Sequence, residues 1–323
     1  MLELGKLLEL TLAGSAPLQP TQRTPAGAQL QWLGEGALLV TPAPGCDCGL
    51  DLLLSAGVHG CEVIPIQLLD RLIQAIARGE INPRARLLLL FCNVPAMRAG
   101  VRRFQQDLNR LFCGAHAAHD SAEARRAAEL ERLAADFFSL PGRQRRHYDL
   151  HSAMRASRFE QFAICPWVAE RAVSAGSLQR LGAAGVSAVL LKEKGAATFS
   201  AHTATRHDAE AFTLEMAESA PGQWPECLDR FLEAARGWIE GDEPRGEPPQ
   251  AFRLAFEVIN SGETFRLCLP ADIVNFEPLP VGTLLAEDGE RRWVLDREQA
   301  RVLFPLPDAA VGERAALIVE PWR

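Results

Sequence analysis

The stretch DLLLSAGVHGCEVIPIQLLDRLIQAIARG, residues 51–79, decides the fold. Its opening, DLLLSAGV (51–58), is a short leucine-rich run broken by Gly57, as expected for a strand buried on both faces. Across 62–78, Val63, Ile66, Leu69, Ile73 and Ile76 recur at helical spacing, and Gly79 marks the stop. A second apolar run, RLLLLFCN (86–93), follows. Strand, helix and strand in this order make a unit of a largely parallel sheet.

The alternation continues outward. Residues 121–138 carry another helical pattern that starts at Ser121. Residues 146–151, 187–191 and 211–216 read as further strands, and 225–239 as an amphipathic helix with Pro225 at its start. Residues 240–249, EGDEPRGEPP, have the composition of a linker. Beyond it, FRLAFEVI, TFRLCL, TLLAED, RRWVLD, RVLFPL and ALIVEP are short strand-like runs separated by turn signals. The expectation is an α/β domain over 1–240 and a small mostly-β domain over 250–323, which suits a chain of 323 residues.

Lys+Arg 34 against Asp+Glu 41 leaves a net charge of −7, which argues against a general binder of nucleic acid or anionic membrane. No apolar run approaches the roughly 20 residues that span a bilayer. Glu3, Lys6 and Glu9 interrupt the N-terminal MLELGKLLEL, so no signal peptide is read. Eight scattered cysteines, several in apolar runs, are expected to be buried reduced thiols of a cytoplasmic protein.

Three of the strands end in residues suited to a metal. These are Gly57-Val58-His59-Gly60-Cys61-Glu62, Asp149-Leu150-His151 and Thr213-Leu214-Glu215. Ligands of open α/β sheets bind beyond the carboxyl ends of the strands, so His59, Glu62, His151 and Glu215 are placed to meet in one crevice. Two imidazoles and one carboxylate make the protein set of a catalytic zinc, with a fourth position for water. Glu215 is the candidate to take the proton from that water. Asp149, two residues before His151, suits the orientation of a ligand imidazole, or simply the capping of backbone donors at a strand end. Residues 93–112 add Arg98, Arg102, Arg103 and Arg110 to a loop expected near the same edge, and guanidinium groups suit carboxylate ligands.

In their order along the chain, these pieces resemble the zinc carboxypeptidase-like fold and, within it, the succinylglutamate desuccinylase/aspartoacylase family. The resemblance is carried by Gly57 through Glu62, Asn93-Val94-Pro95-Ala96, the run from Arg102 through Asp107-Leu108-Asn109-Arg110, Asp149-Leu150-His151 and Thr213-Leu214-Glu215. Met97-Arg98-Ala99 and the stretch from His151-Ser152-Ala153-Met154-Arg155 to Glu160-Gln161-Phe162-Ala163 are similar to its desuccinylase branch. The resemblance implies a mixed sheet flanked by helices with a small C-terminal mostly-β domain. It implies one zinc per chain on His59, Glu62 and His151, with Glu215 as general base and then general acid. Arg102, seven residues before Asn109, is implied to polarise the scissile carbonyl. Asn109 and Arg110 match a pair that holds a substrate carboxylate, and Arg98 and Arg155 are candidates for the remaining carboxylates. The implied substrate is N-succinyl-L-glutamate, in succinyl-dependent arginine breakdown. A homo-oligomer is compatible with the sequence.

Two departures stand out. Cys61 occupies a position where the family usually has Asn. After Glu215 the chain reads Met216-Ala217-Glu218, where desuccinylases usually carry a lysine. The second change removes a cation and keeps two other readings open: an aspartoacylase-like amidohydrolase, and a non-catalytic zinc or acyl-amino-acid sensor. The remaining histidines read as bland: His116 and His119 as exposed loop residues, His147 as no ligand, and His202 and His207 as part of a polar, mobile loop at 200–208.

Overall fold

The computed structural model describes residues 3–153, 155–217, 225 and 227–322. Along the chain, α1 (Leu7–Ala13) precedes three strands, β1 (Thr21–Arg23), β2 (Gln29–Gly34) and β3 (Ala37–Thr41). The decisive stretch then gives β4 (Leu50–Ala56) and α2 (Val63–Arg78), and Gly79 caps that helix at φ +75°. Next come β5 (Arg86–Phe91), α3 (Val94–Ala99), α4 (Ala122–Phe137), β6 (Gln144–Ser152), β7 (Phe162–Cys165), α5 (Ala175–Ala183) and β8 (Ala188–Leu191). They are followed by α6 (Phe199–Arg206), β9 (Glu210–Met216) and α7 (Cys227–Glu240). The C-terminal part holds β10 (Gln250–Ile259), β11 (Phe265–Leu267), β12 (Glu277–Pro278), β13 (Leu284–Asp288), β14 (Arg291–Val294), β15 (Arg301–Leu303) and β16 (Arg314–Pro321).

The described strands form one large sheet in the order β1-β2-β3-β5-β4-β6-β9-β7-β8-β10-β16-β15-β12, and β11, β13 and β14 form a small second sheet. At the centre, β5, β4, β6 and β9 are parallel, as the apolar runs predict. The sheet as a whole is mixed. β3 runs antiparallel to β5, β7 antiparallel to β9, and β16 antiparallel to β10. It also crosses the proline-rich junction: β10 pairs with β8 in parallel, so the C-terminal strands extend the main sheet. They nevertheless pack a separate core around Val258, Leu285, Val302 and Ile318.

Strand alternation sorts the core into two faces. Leu52, Leu54, Leu150 and Leu214 pack beneath α2 and α7. Leu53, Leu88 and Leu90 pack beneath α4 and Phe199 of α6. By parity this second face also carries Ser55, His147, Asp149, His151, Thr213 and Glu215. Farther along the sheet it is covered by Phe276, Leu303 and Leu317 of the C-terminal part.

The stretch 200–208 is not a loop. Thr198 caps α6 by accepting the Ala201 N–H, and Phe199, Ala201, His202 and Ala204 are buried. Of the cysteines, all unpaired, only Cys92 is fully buried, and Cys46 and Cys48 are exposed. No described helix is long and apolar enough to cross a membrane. Met154 and Glu218 lie outside the described residues.

Candidate metal centre and active site

The turn after β4 is shaped by two glycines. Gly57 sits at φ +71°, where a Cβ would come within 2.7 Å of Met97 Sδ. A Cβ on Gly60 would lie 2.1 Å from the Ala96 carbonyl carbon and 2.3 Å from the Met97 nitrogen. The loop carrying His59 and Glu62 therefore rests directly on α3. Asn93 caps that helix by accepting the Ala96 N–H and donates its own backbone N–H to the Gly57 carbonyl, 2.8 Å away. Gly60 N–H then reaches the Arg102 carbonyl at 3.3 Å, which joins the arginine loop to the same turn.

His59, Glu62 and His151 converge, with one ligand atom from each lying within 4.8 Å of the others. Among the described residues this is the group able to hold a metal. Glu62 Oε1 lies 2.7 Å from His59 Nδ1, and Glu62 Oε2 lies 3.1 Å from His151 Nδ1. The Nε2 atoms face away from the centre, His59 toward Asp107 Oδ1 at 3.3 Å and His151 toward Asp149 Oδ2 at 3.1 Å. Each imidazole thus donates from Nε2 to a carboxylate and turns Nδ1 toward Glu62, the arrangement that fixes a metal-binding tautomer. Burial opposes ionisation of Glu62, but the two imidazoles hold its carboxyl well below the usual range. Burial likewise opposes charge on His151, yet Asp149 and Glu62 raise it well above the usual imidazole value. This buried cluster attracts a cation, and its donor chemistry fits a divalent metal.

Behind His151 runs a buried chain of hydrogen bonds. Asp149 accepts the Ser55 hydroxyl at 2.6 Å. Burial opposes charge on Asp149, but His151 and Ser55 hold its carboxyl below the usual range, so it can only accept. With its proton committed to Asp149, Ser55 must accept from His147 Nε2–H at 2.8 Å. Burial pushes His147 down to about 4, so the ring is neutral, and its Nδ1 accepts from Thr203 Oγ1 at 2.8 Å. Every donor in this relay points toward Asp149. The histidine dismissed as a ligand is therefore a member of the support for one.

Glu215 pairs with His151 in register across β6 and β9 and is buried beside the cluster. Burial is the main cause that pushes its carboxyl up to about 7, with His151 pulling the other way. Arg102 is 43% exposed, and its Nη1 lies 3.5 Å from Glu62 Oε1, so its guanidinium borders the cluster from the open side. Glu123 holds the segment that follows Arg102, accepting the Phe104 and Gln105 N–H groups at 2.7 and 2.9 Å. In the sequence Glu123 looks like an ordinary first-turn acid of α4. Asp107 was likewise only part of a motif; the structure adds its contact with His59 and its acceptance of the Asn109 N–H.

The substrate arginines divide. Arg110 is exposed and close to Asp107, while Asn109 is buried with its Oδ1 accepting the Phe199 N–H at 3.0 Å, which leaves Nδ2 as its donor. Arg98 and Arg155 are not brought to the cluster. Arg98 binds the Thr11 and Leu12 carbonyls at the C-terminal end of α1 and pairs with Glu35. Arg155 donates to the Ala271 and Ile273 carbonyls and ties the C-terminal part down. Among the other histidines, His116 meets Glu131 at 3.3 Å, His119 meets Gln106 at 3.1 Å, and His202 stacks edge-on with His207 at 5.3 Å.

Comparison with known proteins finds relatives over nearly the whole chain. Residues 48–236 match the succinylglutamate desuccinylase/aspartoacylase catalytic domain, and residues 247–322 match the AstE/AspA barrel-sandwich hybrid domain. A succinylglutamate desuccinylase of Pseudomonas putida (strain GB-1) is 53% identical over 328 residues, covering 99% of this chain and 98% of that one. One from Ectopseudomonas mendocina (strain ymp) is 51% identical over 330 residues, with the same coverage. Among solved structures, the succinylglutamate desuccinylase of Chromobacterium violaceum superposes with a TM-score of 0.87 at 35% identity, covering 98% of each chain. That of Vibrio parahaemolyticus superposes with a TM-score of 0.90 at 27% identity, covering 98% of this chain and 95% of that one.

Proposed function

This chain belongs to the succinylglutamate desuccinylase/aspartoacylase family, and from that premise we propose that it hydrolyses N-succinyl-L-glutamate to succinate and L-glutamate with one zinc ion per chain. The observation that carries the reading is the convergence of buried His59, Glu62 and His151 with Glu215 and Arg102 alongside. His59, Glu62 and His151 would hold the zinc, which would supply a water of lowered pKa, about 7, and a positive charge beside the scissile carbonyl. Glu215 accepts the proton of the attacking water on a carboxylate oxygen. Arg102 donates to the carbonyl oxygen as that atom gains charge, and one such donor supplies about 2.7–4 kcal/mol in well-studied cases. Glu215 then passes its proton to the amide nitrogen, which leaves as the amine of glutamate. Arg110 and the Asn109 Nδ2 group hold a substrate carboxylate. The reaction closes the succinyl-dependent breakdown of arginine in the cytoplasm.

The test is turnover of N-succinyl-L-glutamate by the zinc-loaded protein, following released glutamate, with N-acetyl-L-aspartate in parallel. Release of glutamate that stops on chelation is expected. Glu215→Gln should hold zinc normally while kcat falls by roughly 10²–10⁴-fold. A zinc-loaded protein that releases no glutamate overturns the substrate. Near-normal turnover by Glu215→Gln overturns the role of that residue.

A further inference from the structure

We propose that Lys192 and Arg314, contributed by the end of β8 and the start of β16, bind a substrate carboxylate remote from the scissile amide. The assignment rests on the substrate class proposed above. It starts from register: Glu215 of β9 lies opposite Phe162 of β7, and Phe162 opposite Ala188 of β8. Alternate residues share a face, so Ala188, Leu190 and then Lys192 follow on the face that carries Glu215. Lys192 is four residues past Ala188, about 13 Å along the strand direction. Because β7 and β8 run opposite to β9, this places Lys192 away from the level of Glu215, toward the amino end of β9. β10 joins β8 on its other side, and Arg314 enters opposite Ile259 of β10.

Both side chains are partly buried, and neither makes a direct ion pair among the described residues. The Arg314 Nε is buried without a hydrogen-bond partner, and its guanidinium lies 5.6 Å from the Phe304 ring centre. The charges that act on Arg314 are those of Arg110, Glu257, Glu215 and Arg102, and the charges that act on Lys192 are those of Glu257, Arg314, Arg110 and Lys194. Five cations, Lys192, Lys194, Arg102, Arg110 and Arg314, thus share the influence of two carboxylates, one of which, Glu215, is engaged in the chemistry. Burial, then the neighbouring cations, hold both Lys192 and Arg314 below their usual ranges, against the pull of Glu257. Cations gathered this way without matching anions favour an anionic ligand.

The substrate supplies what is missing. N-succinyl-L-glutamate carries three carboxylates, whereas Arg98 and Arg155 are committed to protein acceptors. The carboxylate that Lys192 and Arg314 take belongs either to the succinyl end or to the glutamyl side chain.

The test compares wild type, Arg314→Met and Lys192→Met on three substrates: N-succinyl-L-glutamate, N-acetyl-L-glutamate and N-succinyl-L-norvaline. Thermal unfolding of each variant controls for folding, and Lys192→Met acts on a different strand should Arg314→Met fail to fold. Each variant is expected to lower kcat/KM for N-succinyl-L-glutamate by about 10- to 100-fold, mainly through KM. The same variant should leave unchanged the substrate that lacks the bound carboxylate. Insensitivity of N-acetyl-L-glutamate identifies the succinyl carboxylate; insensitivity of N-succinyl-L-norvaline identifies the glutamyl one. Equal losses on all three substrates, or no loss, overturn the assignment while leaving the proposed hydrolysis intact. A zinc-loaded wild type that hydrolyses none of the three overturns both.

Discussion

Asp149→Asn separates metal binding from folding more cleanly than any other change near the cluster. The side chains have the same shape, so no cavity opens in this fully buried site. What changes is charge and donor count. In the wild type Asp149 accepts from both His151 Nε2 and Ser55 Oγ. An asparagine keeps both contacts only by turning Oδ1 to His151 and Nδ2 to Ser55. The Ser55 hydroxyl must then swing to His147 Nε2, and the His147 proton must move to Nδ1. His147 now donates to Thr203, whose own proton returns to the Ser200 carbonyl, 3.1 Å away. The whole relay reverses and no group is left unpaired.

The cost therefore falls on the metal. A hydrogen bond from His151 to a carboxylate contributes about 1.5–3 kcal/mol and one to a neutral amide about 0.5–1.5 kcal/mol. The difference, roughly 1–1.5 kcal/mol, is about tenfold in zinc affinity, at the lower end of the range seen when such supporting groups are changed. Asp149→Ala, by contrast, strands two buried donors and should cost about 2–6 kcal/mol of folding stability. Competition with a chelating indicator measures zinc affinity, and thermal unfolding of the metal-free proteins measures stability. Wild-type zinc affinity in Asp149→Asn would refute support through Asp149. Destabilisation equal to that of Asp149→Ala would refute the reversible relay.

Three further outcomes follow from the geometry. Gly60→Ala drives a Cβ into backbone atoms that cannot step aside, so it should lower stability by about 1–3 kcal/mol and reduce kcat/KM by about 10²-fold through displacement of the Arg102 loop; an unchanged melting temperature and rate would contradict the close approach. Glu123→Gln removes the charge that gathers the Phe104 and Gln105 N–H groups, and it should lower kcat several-fold while zinc affinity stays constant; a parallel loss of zinc would mean that Glu123 supports the ligands instead. Removing the metal should lower stability by about 2.7 kcal/mol relative to protein held at 100 times the zinc Kd, read as a melting-temperature shift that zinc reverses; no shift would deny a folded-state metal site.

The parts of this molecule legible in the sequence are those whose signal is local. Residues 51–79 announce β4 and α2 because a strand buried on both faces and an amphipathic helix have different apolar periods. The residues of the cluster were legible because three strands lead into them, β4 into His59 and Glu62, β6 into His151 and β9 into Glu215, and parallel strands align their carboxyl ends. β7 escaped because four residues, Phe162–Cys165, are too short to show a period, and its antiparallel direction is a property of the sheet alone. Helix α6 escaped because Ser200, His202, Thr203 and Thr205 look solvated until Phe199 and His147 are seen packed together at 4.7 Å. The arginines show the deepest limit. Charge is visible in a sequence but its partner is not, so Arg98, which terminates α1, reads the same as Arg102, which borders Glu62.

The same limit explains why the relay behind Asp149 could not be read beforehand. A polar ladder inside a leucine-rich core normally lowers stability, because each unpaired member costs about 1–3 kcal/mol. Here the ladder closes: Thr203, His147, Ser55, Asp149 and His151 each satisfy the next, and they share one parity of two adjacent strands and the helix above them. Its direction is set by a single ionised group. Because Asp149 can only accept, each hydroxyl and imidazole behind it has one allowed orientation, and His151 must donate from Nε2, which turns Nδ1 toward Glu62. An apolar replacement of equal volume would fold at least as well but would leave that imidazole free to choose between tautomers. The interior polarity of this face is therefore best understood as selecting the form of His151 that can bind a metal.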